Sequence, residues 1–208
     1  MTPTATLAHD VAHLLGGAAL ALSFALLYQR RIAALATLCG LQSLTLAAAA
    51  AWQGWLQESW PLFATAAIVL AGHAVACPIA LRRLAGQAPD AGTALGTVPT
   101  MTLGVALVAL AMLAVPPSNT ETAVLTREDL APALSVVLLA VLLLLSRRDV
   151  LAQVVGLLSL QNGVLLVAIR LPGLPLLMEL AVAMLALIAC VLFAATQLRA
   201  ATPDATPP

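Results

Sequence analysis

The sequence has no lysine, and its nine arginines are matched by nine acidic residues, so the formal net charge is zero. That balance excludes the basic footprint of a nucleic-acid-binding protein. Charged residues make up 9% of the chain and hydrophobic residues 62%, against roughly 25% charged in a soluble domain. One core cannot absorb that much apolar surface, so an ordinary soluble globule is excluded and the excess is left for lipid. Cysteine is scarce as well. Cys39, Cys77 and Cys190 each sit inside an apolar run, without metal-ligand spacing and without an even set for disulfides, so packing is their expected role. No Arg or Lys precedes the first apolar run, and His9 and Asp10 interrupt its start. A cleaved signal peptide is therefore not expected, and the segment reads as a permanent helix.

What the chain does have is long apolar runs. A bilayer core of about 30 Å needs about 20 apolar residues per helix. Seven stretches qualify: 8–28, 32–52, 61–81, 97–115, 130–146, 149–170 and 174–198. The expected fold class is an all-α, polytopic membrane helix bundle of seven transmembrane helices. The fifth span is short, and "TREDLAP" marks its start, with Asp129 expected as the cap and Pro132 in the first turn. Arg30 and Arg31, Arg82 and Arg83, Arg147 and Arg148, and Arg199 follow the odd-numbered spans, while Arg127 and Arg170 lie on the opposite side. By the positive-inside rule these anchors put the N-terminus outside and the C-terminus in the cytoplasm. Trp52, Trp55 and Trp60 gather at the expected outer join, and Tyr28 stands beside the inner arginines. The loops are too short to fold into a domain, and "ATPDATPP" at 201–208 reads as a disordered tail. Function must come from the spans or from partners.

Polar residues inside the spans are few. Glu179, in "PLPLLMELAVAML", is the one acid well inside a span, and intramembrane carboxylates mark candidate functional sites. At 1.5 Å per residue it lies on the order of 8 Å below the outer boundary. Gln161 and Asn162, in "LLSLQNGVLLVAIR", lie roughly 12 Å in on the preceding span, which the short link "RLPGLP" makes a neighbour. Either amide is within reach of the Glu179 carboxyl. Three readings of Glu179 stay open: a proton relay, a permanently protonated donor between helices, and a lipid-facing or snorkelling side chain.

Gly156, Ser159 and Gly163 fall on one helix face and read as a close-packing stripe, which Asn162 flanks and could itself bridge. His73 lies mid-span, either as a satisfied neutral donor or as a proton-transfer group. Gln42, Ser43 and Thr45 put a polar patch near the centre of the second span, more in keeping with interhelical hydrogen bonds than with a path. His9 and His13 stand four apart with Asp10 alongside, but no third strong metal ligand is in view. So few titratable groups argue against an autonomous pump, and no internal repeat or broken helix pair points to an independent transporter.

Over residues 146–198 the sequence resembles a known family. "SRRDVLAQVVGLLSLQNGVLLVA" followed by "LPLLMELAVAMLALIACVLF" is similar to the K-type subunit of respiratory NADH:quinone oxidoreductase and to the C-type subunit of multisubunit cation/proton antiporters. By length and span number the whole protein looks most like membrane component E of hydrogenase-4 and formate hydrogenlyase-type complexes. The elements that carry the likeness are Arg147–Arg148, Gly156, the Gln161-Asn162-Gly163 triplet and the "PLLMEL" opening of the last span. The resemblance divides the sequence into four N-terminal helices (1–128), a three-helix unit like the K-type subunit (129–199) and a tail (200–208).

The resemblance implies a non-catalytic subunit, without a cofactor, in the proton-translocating membrane arm of a bacterial cytoplasmic-membrane complex. Its partners would be antiporter-like and other membrane-arm subunits, peripheral redox subunits and the lipid bilayer, with no nucleic acid. Glu179 falls where the family carries a glutamate in its last span, and Asn162 matches a family asparagine. The departures are specific. Component E usually has Glu where this sequence has Gln161, the K-type subunit has its acid where this sequence has Leu158, and a further family acid falls near Leu185. Glutamine keeps the hydrogen bonds of glutamate but carries no proton. Two other readings remain: a subunit of a cation/proton antiporter or ion-coupled uptake complex without a redox arm, and a structural linker whose relay has been lost.

Overall fold

The computed structural model describes residues 3–85, 96–115 and 127–170, together with helical positions 181–183, 185–186 and 188–189. The side chains of 3–9 and 127–129 are not among what is described. The described chain is helical: α1 (Pro3–Tyr28), α2 (Ile32–Leu56), α3 (Trp60–Ala85), α4 (Thr97–Ala114), α5 (Arg127–Ser146) and α6 (Val150–Ala168). Five of these carry a stretch long and apolar enough to cross a membrane, namely Asp10–Tyr28 of α1, α2, α3, α4 and α6. The apolar part of α5, Leu130–Ser146, is shorter. Most of the seventh expected span, 174–198, lies outside the described residues.

Turn chemistry sets the boundaries. At the end of α2, Glu58 adopts a left-handed conformation with φ 49°, and Ser59 N–H donates to Gly54 O at 3.0 Å. This is a Schellman closure built without glycine, and Pro61 then sits in the first turn of α3, where its missing N–H costs nothing. Asp149 caps α6, its Oδ1 accepting from Leu151 N at 2.8 Å and Ala152 N at 3.3 Å. Asp149→Ala is expected to cost about 1 kcal/mol and to speed hydrogen exchange at those two amides; unchanged exchange would discount the cap. Asp129 is not a cap. It is the third residue of α5, which begins at Arg127, and Pro132 lies inside the helix rather than at its start.

The expected third span is one helix with a π-helical centre, Val69–Ala76. Pro78 explains the change of pitch. It has no N–H for the Ala74 carbonyl, and Cys77 N–H reaches back five residues to Gly72 O. A methyl group added at Gly40 of α2 would lie 3.1 Å from the Ala74 oxygen and 2.9 Å from Pro78 Cγ. So α2 and α3 touch through backbone where α3 is deformed. π-Helical turns of this kind often occur at functional sites.

Within the bundle α1 packs on α2, α4 and α5, α2 packs on α3 and α6, and α5 and α6 form the closest pair. Glycine makes that last contact possible. A Cβ at Gly156 would lie 3.0 Å from Leu144 N, and one at Gly163 would lie 3.0 Å from Val137 N and 2.7 Å from Val137 Cγ2. Ser159, between them in sequence, is also buried.

The apolar core falls into two zones. One gathers Leu26, Leu35, Cys39, Cys77, Leu81, Leu143, Leu151 and Leu158 at the end where Arg30, Arg31, Arg82, Arg83, Arg147 and Arg148 lie. The other gathers Leu46, Ala50, Leu62, Ala66, Ala133, Val136, Leu165 and Ile169 towards the tryptophans. Both zones draw on helices from either side of residue 129. Trp55, Trp60 and Tyr28 are exposed at the two ends, as aromatic side chains at membrane interfaces commonly are. Of the five apolar windows among the described residues, that of α4 is the least enclosed, 17% buried against 67% for α6.

Candidate functional site: a polar layer at mid-bundle

Between the two apolar zones four helices each contribute polar side chains at one level: Ser23 of α1, Gln42 and Ser43 of α2, His73 of α3, and Ser159, Gln161 and Asn162 of α6. All seven are buried. Their positions follow from helix length. His73 is central in the span Trp60–Ala85, and Gln42 lies about 15 Å along α2 from Ile32.

Hydrogen bonds join the helices across this layer. Gln42 Nε2 donates to Ser23 Oγ at 2.8 Å, and Ser23 Oγ donates to Ala19 O at 2.9 Å. Asn162 Nδ2 donates to Ser43 Oγ at 2.9 Å and to Gln42 Oε1 at 3.3 Å. The amide of Asn162 thus links α6 to α2, and Gln42 passes the connection to α1. This bridges helices in a setting where an unmet amide is costly.

The series of bonds stops at His73. Its ring stands beside the Asn162 side chain, yet neither ring nitrogen nor Asn162 Oδ1 closes a hydrogen bond within the described residues. A ring N–H and a carboxamide oxygen are complementary groups. His73 also adjoins Gly72, where an added Cβ would meet Leu185 Cδ1 at 2.6 Å. Leu185 therefore packs at the same level. His73 is the titratable group that the described residues bring to the centre of the bundle.

Glu179 lies outside the described residues, and so does Cys190. Gln161 is buried and interacts with its surroundings. Cys39 and Cys77 are free thiols buried in the arginine-end zone. Among the described residues no three His, Cys, Asp or Glu side chains converge on a metal position.

The arginine pairs do not behave alike. Arg147 is 2% exposed, and its Nη2 donates to Leu26 O at 3.1 Å, Leu27 O at 2.9 Å and Gln29 O at 2.6 Å. A guanidinium at the carbonyl end of α1 is favourable both as a cap and against the helix dipole. Burial, and secondarily the nearby Arg30, pull its pKa below the ordinary arginine range. Gln153 Nε2 donates to the Arg147 carbonyl at 3.0 Å, which fixes the α5–α6 turn against the same helix end. Arg148, next in sequence, is exposed.

No family model, curated protein or solved structure matches this protein. Its functional reading therefore rests on its residues and their geometry. The sequence marks Gln42, His73 and Asn162 one at a time; what it does not display is that they share a level and face one another. The signal available was depth, since all three fall near the middle of their spans. The cap formed by Arg147 had no signal in sequence, because its doublet reads as two equivalent surface charges.

Proposed function

We propose that the protein is a non-catalytic subunit in the membrane arm of a proton-translocating complex of the hydrogenase-4 or formate hydrogenlyase type. In this reading it lies in a bacterial cytoplasmic membrane as seven spans, with the arginine end inside. It packs beside antiporter-like subunits and has no nucleic-acid partner. One observation carries the proposal. Positions 161 and 185, where related subunits carry acids, lie in the polar layer or against it, alongside Asn162 and next to the His73 turn. In this reading the layer stands in for the charged groups of such subunits, with amides and one imidazole in place of carboxylates, while position 158 is a buried leucine of the arginine-end zone. Glu179, on the last span, is the proton-transfer candidate of this reading, and its role is to tune or hand protons to a neighbouring subunit.

One fact favours a structural linker as the second reading. Asn162 Nδ2 and Gln42 Nε2 are already committed to bonds between helices, which serve packing whether or not a proton moves.

The test is purification of the tagged protein from its native membrane, followed by proton translocation in reconstituted vesicles. Antiporter-like and redox subunits are expected to accompany it; antiporter subunits alone would move the assignment to a complex without a redox arm. Glu179→Gln is expected to lower translocation several-fold while assembly survives, and Gln161→Glu to raise coupling. Unchanged pumping in both variants would leave the linker.

A further inference from the structure

The turn between α1 and α2, together with the start of α4, encloses an open notch of about 500 Å³ lined by Tyr28, Gln29, Arg30, Arg31 and Thr97. That volume is within the range of small-ligand sites. Its walls are held in place. Gln29 Oε1 accepts from the backbone N–H groups of Arg30 at 2.9 Å and Arg31 at 3.2 Å, which sets the turn. Arg30 Nη2 donates to the Thr97 hydroxyl and ties the turn to α4. Arg147 stands directly behind, bonded to the Gln29 carbonyl.

Among the described residues, no carboxylate is bonded to the guanidinium groups around this notch; Arg30 bonds to a hydroxyl and Arg147 to carbonyl oxygens. Nε and Nη1 of the buried Arg147 have no partner there. Asp149, the acid in the neighbouring turn, is committed to capping α6. The first N–H groups of α4 have no side-chain cap, so the positive end of that helix dipole adds to the field. Guanidinium forks match the oxygens of a phosphate, and basic pockets between helices at a membrane surface suit anionic headgroups.

The face of α4 selects among phosphate-bearing molecules. Val98, Val105 and Met112 recur every seven residues and are 76%, 60% and 37% exposed, an apolar stripe that starts beside Thr97 and runs along the helix. A free anion has no use for that stripe, whereas an acyl tail does.

We propose that the notch binds the phosphate of an anionic phospholipid whose acyl tail lies along the exposed stripe of α4. The residues that line the notch all come from this protein, so it is tested on the isolated protein and does not depend on which complex the protein joins.

Native mass spectrometry of the full-length protein in detergent, titrated separately with phosphatidylglycerol, phosphatidylcholine and inorganic phosphate, decides it. Phosphatidylglycerol is expected to bind at least tenfold more tightly than phosphatidylcholine. Arg30→Gln with Arg31→Gln is expected to remove at least tenfold of that affinity. Arg82→Gln with Arg83→Gln, which removes the same charge elsewhere at that end, should change it less than twofold. Arg30→Lys with Arg31→Lys keeps the charge but loses the fork, so it should weaken binding to an intermediate degree; it also serves as the readout if the glutamine pair does not elute as a single species. Equal losses from the two glutamine pairs would overturn the site, leaving only diffuse charge attraction. Phosphatidylcholine binding as tightly as phosphatidylglycerol, or inorganic phosphate as tightly as either, would overturn the assignment to an anionic lipid.

Discussion

Replacing Gly163 by leucine is expected to force α5 and α6 apart and to remove most of the folded protein from detergent extracts. The added Cβ alone would lie 2.7 Å from Val137 Cγ2 and 3.0 Å from the Val137 backbone nitrogen. A side-chain tip can rotate away, but a backbone nitrogen moves only with its helix. Overpacking usually costs about 1–3 kcal/mol, and displacing a helix axis puts this case at about 3 kcal/mol or more. The built-in control is Gly17→Leu, since nothing lies within 4 Å of a Cβ there. Thermal unfolding followed by size exclusion should separate the two variants, with Gly17→Leu close to the parent. A Gly163→Leu protein that elutes and melts like the parent would show that α5 and α6 do not meet as described.

The second large effect is expected at Arg147. Truncation to alanine deprives three carbonyl groups at the end of α1 of their donor and removes the packed stem of the side chain. Hydrogen bonds to a charged group are worth roughly 1.5–3 kcal/mol. Water at the helix end recovers part of this, and relief of a partly unpaired buried guanidinium recovers more. A net loss of about 2 kcal/mol remains. Arg147→Lys keeps the charge on a point donor and should lose about half as much. Arg148→Ala, at an exposed position, should stay within about 0.5 kcal/mol of the parent. Denaturation of the three variants in one detergent measures the contrast. Equal effects at 147 and 148 would refute the cap.

That contrast separates what the residues display by themselves from what only packing decides. Apolar runs and their lengths announce the helices, because a membrane demands about 20 residues per crossing whatever the packing. The expected stretch 97–115 and the helix Thr97–Ala114 agree to the residue at one end. The doublets at 30–31, 82–83 and 147–148 group at one end of the bundle because alternate turns must. Which arginine of a doublet turns inward depends on the rotation of α5 against α1, and rotation leaves no mark on a nearly uniform apolar sequence. The same holds for Asn162. Its burial was legible; its choice of Gln42 and Ser43 depends on α6 lying against α2, a neighbour 120 residues away. Asp129 and Pro132 imitate a cap because Asp and Pro beside an apolar run have the composition of one, although α5 begins at Arg127. The π-helical turn at Val69–Ala76 is not among the expectations drawn from the residues, although Pro78, which removes one N–H from the helix, lies just beyond it.

The polar layer has a consequence for assembly. Apolar helices in lipid slide and turn against one another at little cost, since tails and side chains are equivalent neighbours. A ring of amides and hydroxyls removes that freedom. A slip of one helical turn would carry Asn162 about 5.4 Å past its acceptors and leave several groups facing hydrocarbon. Gln42 and Ser23 can already set α1 against α2, but the bond that sets α6 against α2 needs a residue 120 positions after Gln42. The register of α2 against α6 therefore cannot be set until α6 has been made.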